Sequence, residues 1–148
     1  RLTDFTQQQL IKGENALPQC RIVENDEANG LLAARIEEYL YFKKKAWVTH
    51  RTRFFYDVIY QVEDNKFTVS LQRLHYIYEP EETPNDKLQD YRAEDWITDA
   101  NALNPKGQLT RMAGKFRRFT IDRKNEIFRE AAKAAGAQLK TRTVVVEE

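Results

Sequence analysis

Cysteine is almost absent from this chain: Cys20 is the only one in 148 residues, which excludes an internal disulfide and any zinc site built from several cysteines. Histidine is nearly as scarce, with only His50 and His75, and their separation matches no metal-ligand spacing. Five scattered glycines form no phosphate-cradling loop. No apolar run approaches the roughly 18 residues that a membrane-spanning helix needs. An excess of one charge is lacking too: 24 basic against 23 acidic residues leave +1, so no whole-molecule field draws in nucleic acid or anionic lipid. Nothing in the sequence pairs Cys20 with a histidine as a thiol nucleophile. The neighbouring acids Glu37 and Glu38 fall on opposite faces of a strand, which separates them as an acid-base pair. No catalytic residue, metal ligand or cofactor is therefore assigned.

What the chain does have is 41% hydrophobic residues, of which aromatics make 11% of the whole, enough for one core in a single domain over residues 1–148. The pattern from Gly30 to Pro80 is of strands, because successive side chains of a strand alternate between faces. In Gly30–Phe42 the even positions Leu32, Ala34, Ile36, Leu40 and Phe42 are apolar, with Glu38 the exception. Phe54, Tyr56, Val58, Tyr60 and Val62 continue that parity. Phe42 opposite Val48, across Lys43, Lys44 and Lys45, pairs Ile36 with Phe54, Ala34 with Tyr56 and Glu37 with Arg53. A second turn, Glu63 to Lys66, places Val62 opposite Phe67, Tyr60 opposite Val69 and Val58 opposite Leu71. Beyond Leu71 the apolar parity moves to Leu74, Tyr76 and Tyr78, which predicts a one-residue bulge near Gln72 and Arg73. Glu38, on the oily face, needs a partner such as Thr52 or a helix arginine.

Either side of the sheet, Thr3–Asn15 is expected as a helix capped by Thr3 or Asp4, and Cys20–Glu24 as a short strand. Cys20 reads as a strand residue: Leu17, Pro18 and Gln19 lack the apolar stretch and small residue of a lipid-attachment site. Residues 79–104 carry eight acids against Lys87 and Arg92 and are expected as a long irregular loop, pinned to the body by Trp96 and Ile97. After a breaker at Asn104, Pro105 and Gly107, the spacing of Leu109, Met112, Ala113 and Phe116 suggests a short helix or turn. A longer helix is expected from Thr120, capped by Thr120 or Asp122 and ended at Gly136. The tail 140–148, with Val144, Val145 and Val146, is a frayed end or a short strand.

Several phrases in this order, Glu37-Glu38-Tyr39-Leu40-Tyr41-Phe42, Arg51-Thr52-Arg53-Phe54-Phe55-Tyr56, Arg73-Leu74-His75-Tyr76-Ile77-Tyr78-Glu79, Glu94-Asp95-Trp96-Ile97-Thr98-Asp99, Ala102-Leu103-Asn104, Gly114-Lys115-Phe116-Arg117-Arg118 and Thr120-Ile121-Asp122-Arg123-Lys124, resemble a family of uncharacterised Bacteroides-type proteins. That family is domain of unknown function 4468, with a fold like that of the TATA-binding protein (TBP-like). The resemblance implies an α+β fold, an antiparallel sheet of about four strands with N- and C-terminal helices packed on one face. It also implies export to the periplasm or cell envelope, and the start at Arg1 leads us to expect an upstream signal peptide. The family's pattern includes a strand before its first helix, for which this chain has little room. No activity, cofactor or catalytic residue comes with the resemblance, and similarity to a DNA-binding fold does not make DNA the ligand.

Two surfaces qualify for binding. Residues 106–142 hold eleven basic residues against Asp122, Glu126 and Glu130, a patch suited to nucleic acid or anionic lipid. The acidic 79–99 segment lying against it explains the same charge internally, and we favour that reading, which makes nucleic acid an improbable partner. The odd-numbered sheet face offers Tyr39, Tyr41, Arg51, Arg53 and Phe55, with Trp47 at its rim; aromatics between arginines stack on bases or grip a protein. Cross-strand packing, or burial under the Trp96 loop, explains them without a ligand. The expectation is a binding module with an unidentified ligand; the alternative is an enzyme with an unrecognised site.

Overall fold

The computed structural model describes residues 1–44, 49–64, 66–78 and 89–136. The Lys45–Val48 connection with Trp47, the 79–88 part of the acidic segment and the tail with its Val144–Val146 run lie outside the described residues. Strands β1 (Arg21–Asp26), β2 (Leu31–Lys44), β3 (Thr49–Glu63), β4 (Lys66–Tyr78) and β5 (Gln89–Arg92) form one antiparallel sheet in sequence order, five strands rather than about four. The added strand, β5, lies in the segment expected as an irregular loop. Tyr91 of β5 pairs with Tyr76 on the core side, and a backbone hydrogen-bond ladder outweighs the poor strand propensity of Gln89 and Asp90. Cys20 precedes β1 instead of lying in it; its thiol donates to the Glu37 carbonyl at 3.2 Å and accepts from the Glu37 amide.

Parity placed the side chains correctly on β2 and β3 but not their partners. Ile36 pairs with Tyr56, Ala34 with Val58, Glu37 with Phe55 and Tyr39 with Arg53, two residues from the expected register. A slip of two leaves every residue on its own face, so the hydrophobic pattern does not discriminate between the registers. The β3–β4 pairing is as expected, with Val62 opposite Phe67, Tyr60 opposite Val69 and Val58 opposite Leu71. So is the bulge: the register shifts between Asp57–Gln72 and Phe55–His75, and Arg73 takes a left-handed conformation with φ of 56°. At the entry to β2, Gly30 has φ of +67°, and a β-carbon there would lie 2.0 Å from the Val62 carbonyl oxygen.

The N-terminal helix is shorter than expected and runs as α1 (Leu2–Phe5) into a π-helical segment (Thr6–Ile11), with no side-chain cap from Thr3 or Asp4. Two one-turn helices follow β5, α2 (Ala93–Trp96) and α3 (Asp99–Ala102). The short helix or turn expected over Leu109–Phe116 and the helix expected from Thr120 run together as α4 (Ala113–Ala134), with Leu109 outside it in a bridge to Leu103. Thr120 does not cap a helix; it is buried mid-helix, its hydroxyl 2.5 Å from that of Tyr76, and Asp122 is an exposed interior residue. Gly136, at φ of +72°, ends α4 as expected.

The even-numbered face carries the core: Ile36, Phe54, Tyr56, Val58, Tyr60 and Tyr76 are essentially inaccessible. The π-helical segment reaches it through Leu10 and a hydrogen bond from the Thr6 hydroxyl to that of Tyr60, and α4 through Phe116, Ile127 and Ala131. Trp96 pins its segment as expected, its ring 4.9 Å from that of Tyr91 in a tilted contact and meeting Phe116 edge-on, with Ile97 buried. Glu38 finds a helix arginine: Arg123 Nε and Nη2 donate to its two carboxylate oxygens at 2.7 and 3.0 Å. Burial opposes the Arg123 charge, but the hydrogen bonds and charge of Glu38 outweigh it and raise the pKa. Thr52, the other suggested partner, instead donates to the Arg53 and Ile77 carbonyls.

Candidate binding surface

The helices pack on the even-numbered face or on one another, so among the described residues no helix lies over the odd-numbered side. Strand register arranges that side in rows. One row reads Glu37, Phe55, His75, Arg92 across four strands; the next reads Tyr39, Arg53, Ile77, Asp90; a third begins with Tyr41 and Arg51. Five of the six expected residues, Tyr39, Tyr41, Arg51, Arg53 and Phe55, thus share one face, all partly exposed; Trp47 lies outside the described residues.

The contacts within the rows are specific. The Arg51 guanidinium lies 3.7 Å from the centre of the Tyr39 ring and donates to the Tyr41 hydroxyl at 3.3 Å. Such a cation–π contact, with the hydrogen bond, fixes the guanidinium over the tyrosine pair. Phe55 stacks on His75 at 4.5 Å and 18°, and His75 Nδ1 lies 3.0 Å from the Asp90 carboxylate. Arg35 and Asp57 form a 3.1 Å ion pair on the next row, joined at 3.8 Å by Arg73. Aromatic rings, arginines and aliphatic Ile77 make a surface suited to stacking and hydrogen bonding. Among the described residues no three histidine, cysteine or acidic side chains are grouped to hold a metal ion.

His75, Ile77, Asp90 and Arg92 were not anticipated on this face. The bulge at Arg73 turns positions 73, 75 and 77 outward, a signal already present in the alternation of Leu74, Tyr76 and Tyr78. Asp90 and Arg92 required β5, for which four residues of mixed character gave no periodic signal.

The family described as "Domain of unknown function (DUF4468) with TBP-like fold" matches residues 2–77. The crystal structure of a DUF4468 family protein from Bacteroides ovatus is 32% identical, with 95% of this chain and 78% of that one covered and a TM-score of 0.76. The chain belongs to this family. A TBP-like protein from Parabacteroides distasonis, 18% identical over 93% of this chain and 81% of its own, has a TM-score of 0.71 and shares the fold. No curated protein matches the chain. The architecture is therefore TBP-like α+β, and the family description carries a fold and no activity. No helix among the described residues is long and apolar enough to cross a membrane.

Proposed function

We propose that this domain is a non-catalytic, exported binding module whose ligand lies on the odd-numbered sheet face. The observation that carries the proposal is the Arg51 guanidinium held over Tyr39 beside Tyr41, on the side of the sheet away from the packed helices. Clusters of tyrosine, arginine and phenylalanine hold a disproportionate share of binding energy at interfaces, because they combine large area with few rotors. The basic C-terminal patch is less suited to a ligand, since two of its arginines are engaged within the chain. Arg117 pairs with Asp99, and Arg123 with Glu38 and Glu126.

The test is a peptide and glycan array probed with the domain and with the double variant Arg51→Ala/Phe55→Ala, both checked for folding by circular dichroism. Ligands retained by the wild type and weakened at least about tenfold by the double variant support the face. Equal binding by both proteins removes it. Export is tested separately by fractionating cells that express the full-length gene with an epitope tag; cytoplasmic residence excludes it.

A further inference from the structure

A groove of about 440 Å³ runs between the N-terminal helical segment, β2 and α4, and borders the odd-numbered sheet face at Tyr39 and Tyr41, without including Arg51 or Phe55. Leu10, Leu40 and Ile127 form its buried floor, and the partly exposed rings of Phe5, Tyr41 and Phe119 give it apolar surface. Among the described residues its charged walls are mostly acidic: Glu14, Glu38, Asp122, Glu126 and Glu130 line it with one cation, Arg123, engaged by Glu38 and Glu126. In a chain of net charge +1, that concentration is local and strong.

Asp122, Glu126 and Glu130 recur every four residues along α4, at intervals of about 6 Å. Like charges at that spacing disfavour a helix. Glu126 is relieved by Arg123, and Glu130 only loosely by Arg129 at 3.9 Å. From Phe119 to Glu130 the groove follows α4 for about 16 Å, the span of about five extended residues. Alternate side chains of an extended strand stand about 6.6 Å apart, close to the interval between the helix carboxylates.

We propose that this groove binds an extended cationic segment of a protein partner, in which lysine or arginine alternates with apolar residues. The basic side chains meet Asp122, Glu126 and Glu130, and the apolar ones meet the partly exposed rings of Phe5, Tyr41 and Phe119. The length of the carboxylate row favours a peptide over a single metal ion.

The probe is a fluorescent peptide of about six residues alternating lysine with leucine, followed by anisotropy. It is compared with a peptide carrying glutamate for lysine and with one carrying serine for leucine. Saturable binding of the lysine-leucine peptide is expected, with at least a tenfold loss for either comparison peptide. The double variant Asp122→Lys/Glu130→Lys alters two exposed helix residues and is expected to weaken binding at least tenfold, whereas Glu24→Lys/Glu63→Lys, exposed elsewhere, leaves it unchanged. Carbodiimide coupling of the bound peptide to the wild-type protein, mapped by mass spectrometry, is expected at Asp122, Glu126 or Glu130 and needs no variant to fold. No saturable binding, an equal loss in the Glu24/Glu63 variant, or coupling spread over unrelated carboxylates overturns the proposal. Loss on Arg51→Ala/Phe55→Ala with retention by Asp122→Lys/Glu130→Lys also overturns it, and assigns the peptide to the sheet face.

Discussion

At the residue scale, Glu38 combines burial with charge: its side chain is 4% exposed and bonded at both oxygens to Arg123, itself 22% exposed. Removing one member leaves the other uncompensated. Arg123→Ala is therefore expected to lower stability by about 3 kcal/mol, measured by urea unfolding, while Glu38→Leu with Arg123→Met loses much less. By contrast Arg35–Asp57, with Arg35 38% exposed, is worth only about 0.2–1 kcal/mol to the fold. Glu38 was recognisable in sequence as a carboxylate on an oily face needing a helix arginine, although the choice of Arg123 among the arginines of that region was not. Cys20 shows how burial silences a thiol: desolvation, the largest influence, raises its pKa above the ordinary 9.0. A thiol reagent is expected to label it slowly in the native protein and rapidly in urea, whereas fast native labelling refutes its burial.

At the scale of elements, the bulge and the β2 entry depend on left-handed backbone. Arg73→Val puts a β-branched residue at φ of 56° and is expected to cost about 1–2 kcal/mol, whereas Arg73→Gly stays within about 0.5 kcal/mol because it exchanges backbone strain for entropy. Gly30→Ala is expected to cost about 2 kcal/mol or more in the same unfolding assay, since its new methyl group meets the Val62 carbonyl. The bulge was legible because it shifts apolar parity by one. The β2–β3 register was not, since a slip by two keeps parity intact. Continuity of α4 was missed for a related reason: Thr120 reads locally as a cap, yet its hydroxyl is satisfied across the core by Tyr76.

For the whole molecule, the aromatic core sets an alkaline limit. Burial raises the Tyr60 hydroxyl from 10.0 to about 12, with a smaller opposing effect from the Thr6 hydrogen bond. Burial also pushes Tyr56 well up, with Glu38 adding to it, and raises Tyr78. Unfolded tyrosines lose their protons first as pH rises. The stabilisation is thus fully present below pH 10 and lost as pH climbs through 12. The urea midpoint is expected to fall over that window, with part of the tyrosinate absorbance appearing only on unfolding; a flat midpoint refutes it. Near-neutral charge and the internal pairing of Arg117 and Arg123 lead us to expect no salt-dependent retention on DNA or RNA at low ionic strength.

The alternation of side chains by itself determined which residues of β2, β3 and β4 face the core and where the β4 bulge falls, because a one-residue error exposes a whole apolar row. It also marked five residues of the outer face. Only the tertiary structure decided what stands beside them: Tyr39 next to Arg53, Phe55 on His75, and β5 bringing Asp90 to that histidine. Those neighbours come from register and from chain returning at long range, and no local periodicity encodes them. The groove was divided in the same way, since the four-residue spacing of Asp122, Glu126 and Glu130 is plain in sequence. Its opposite walls, from the N-terminal helical segment and β2, required the fold.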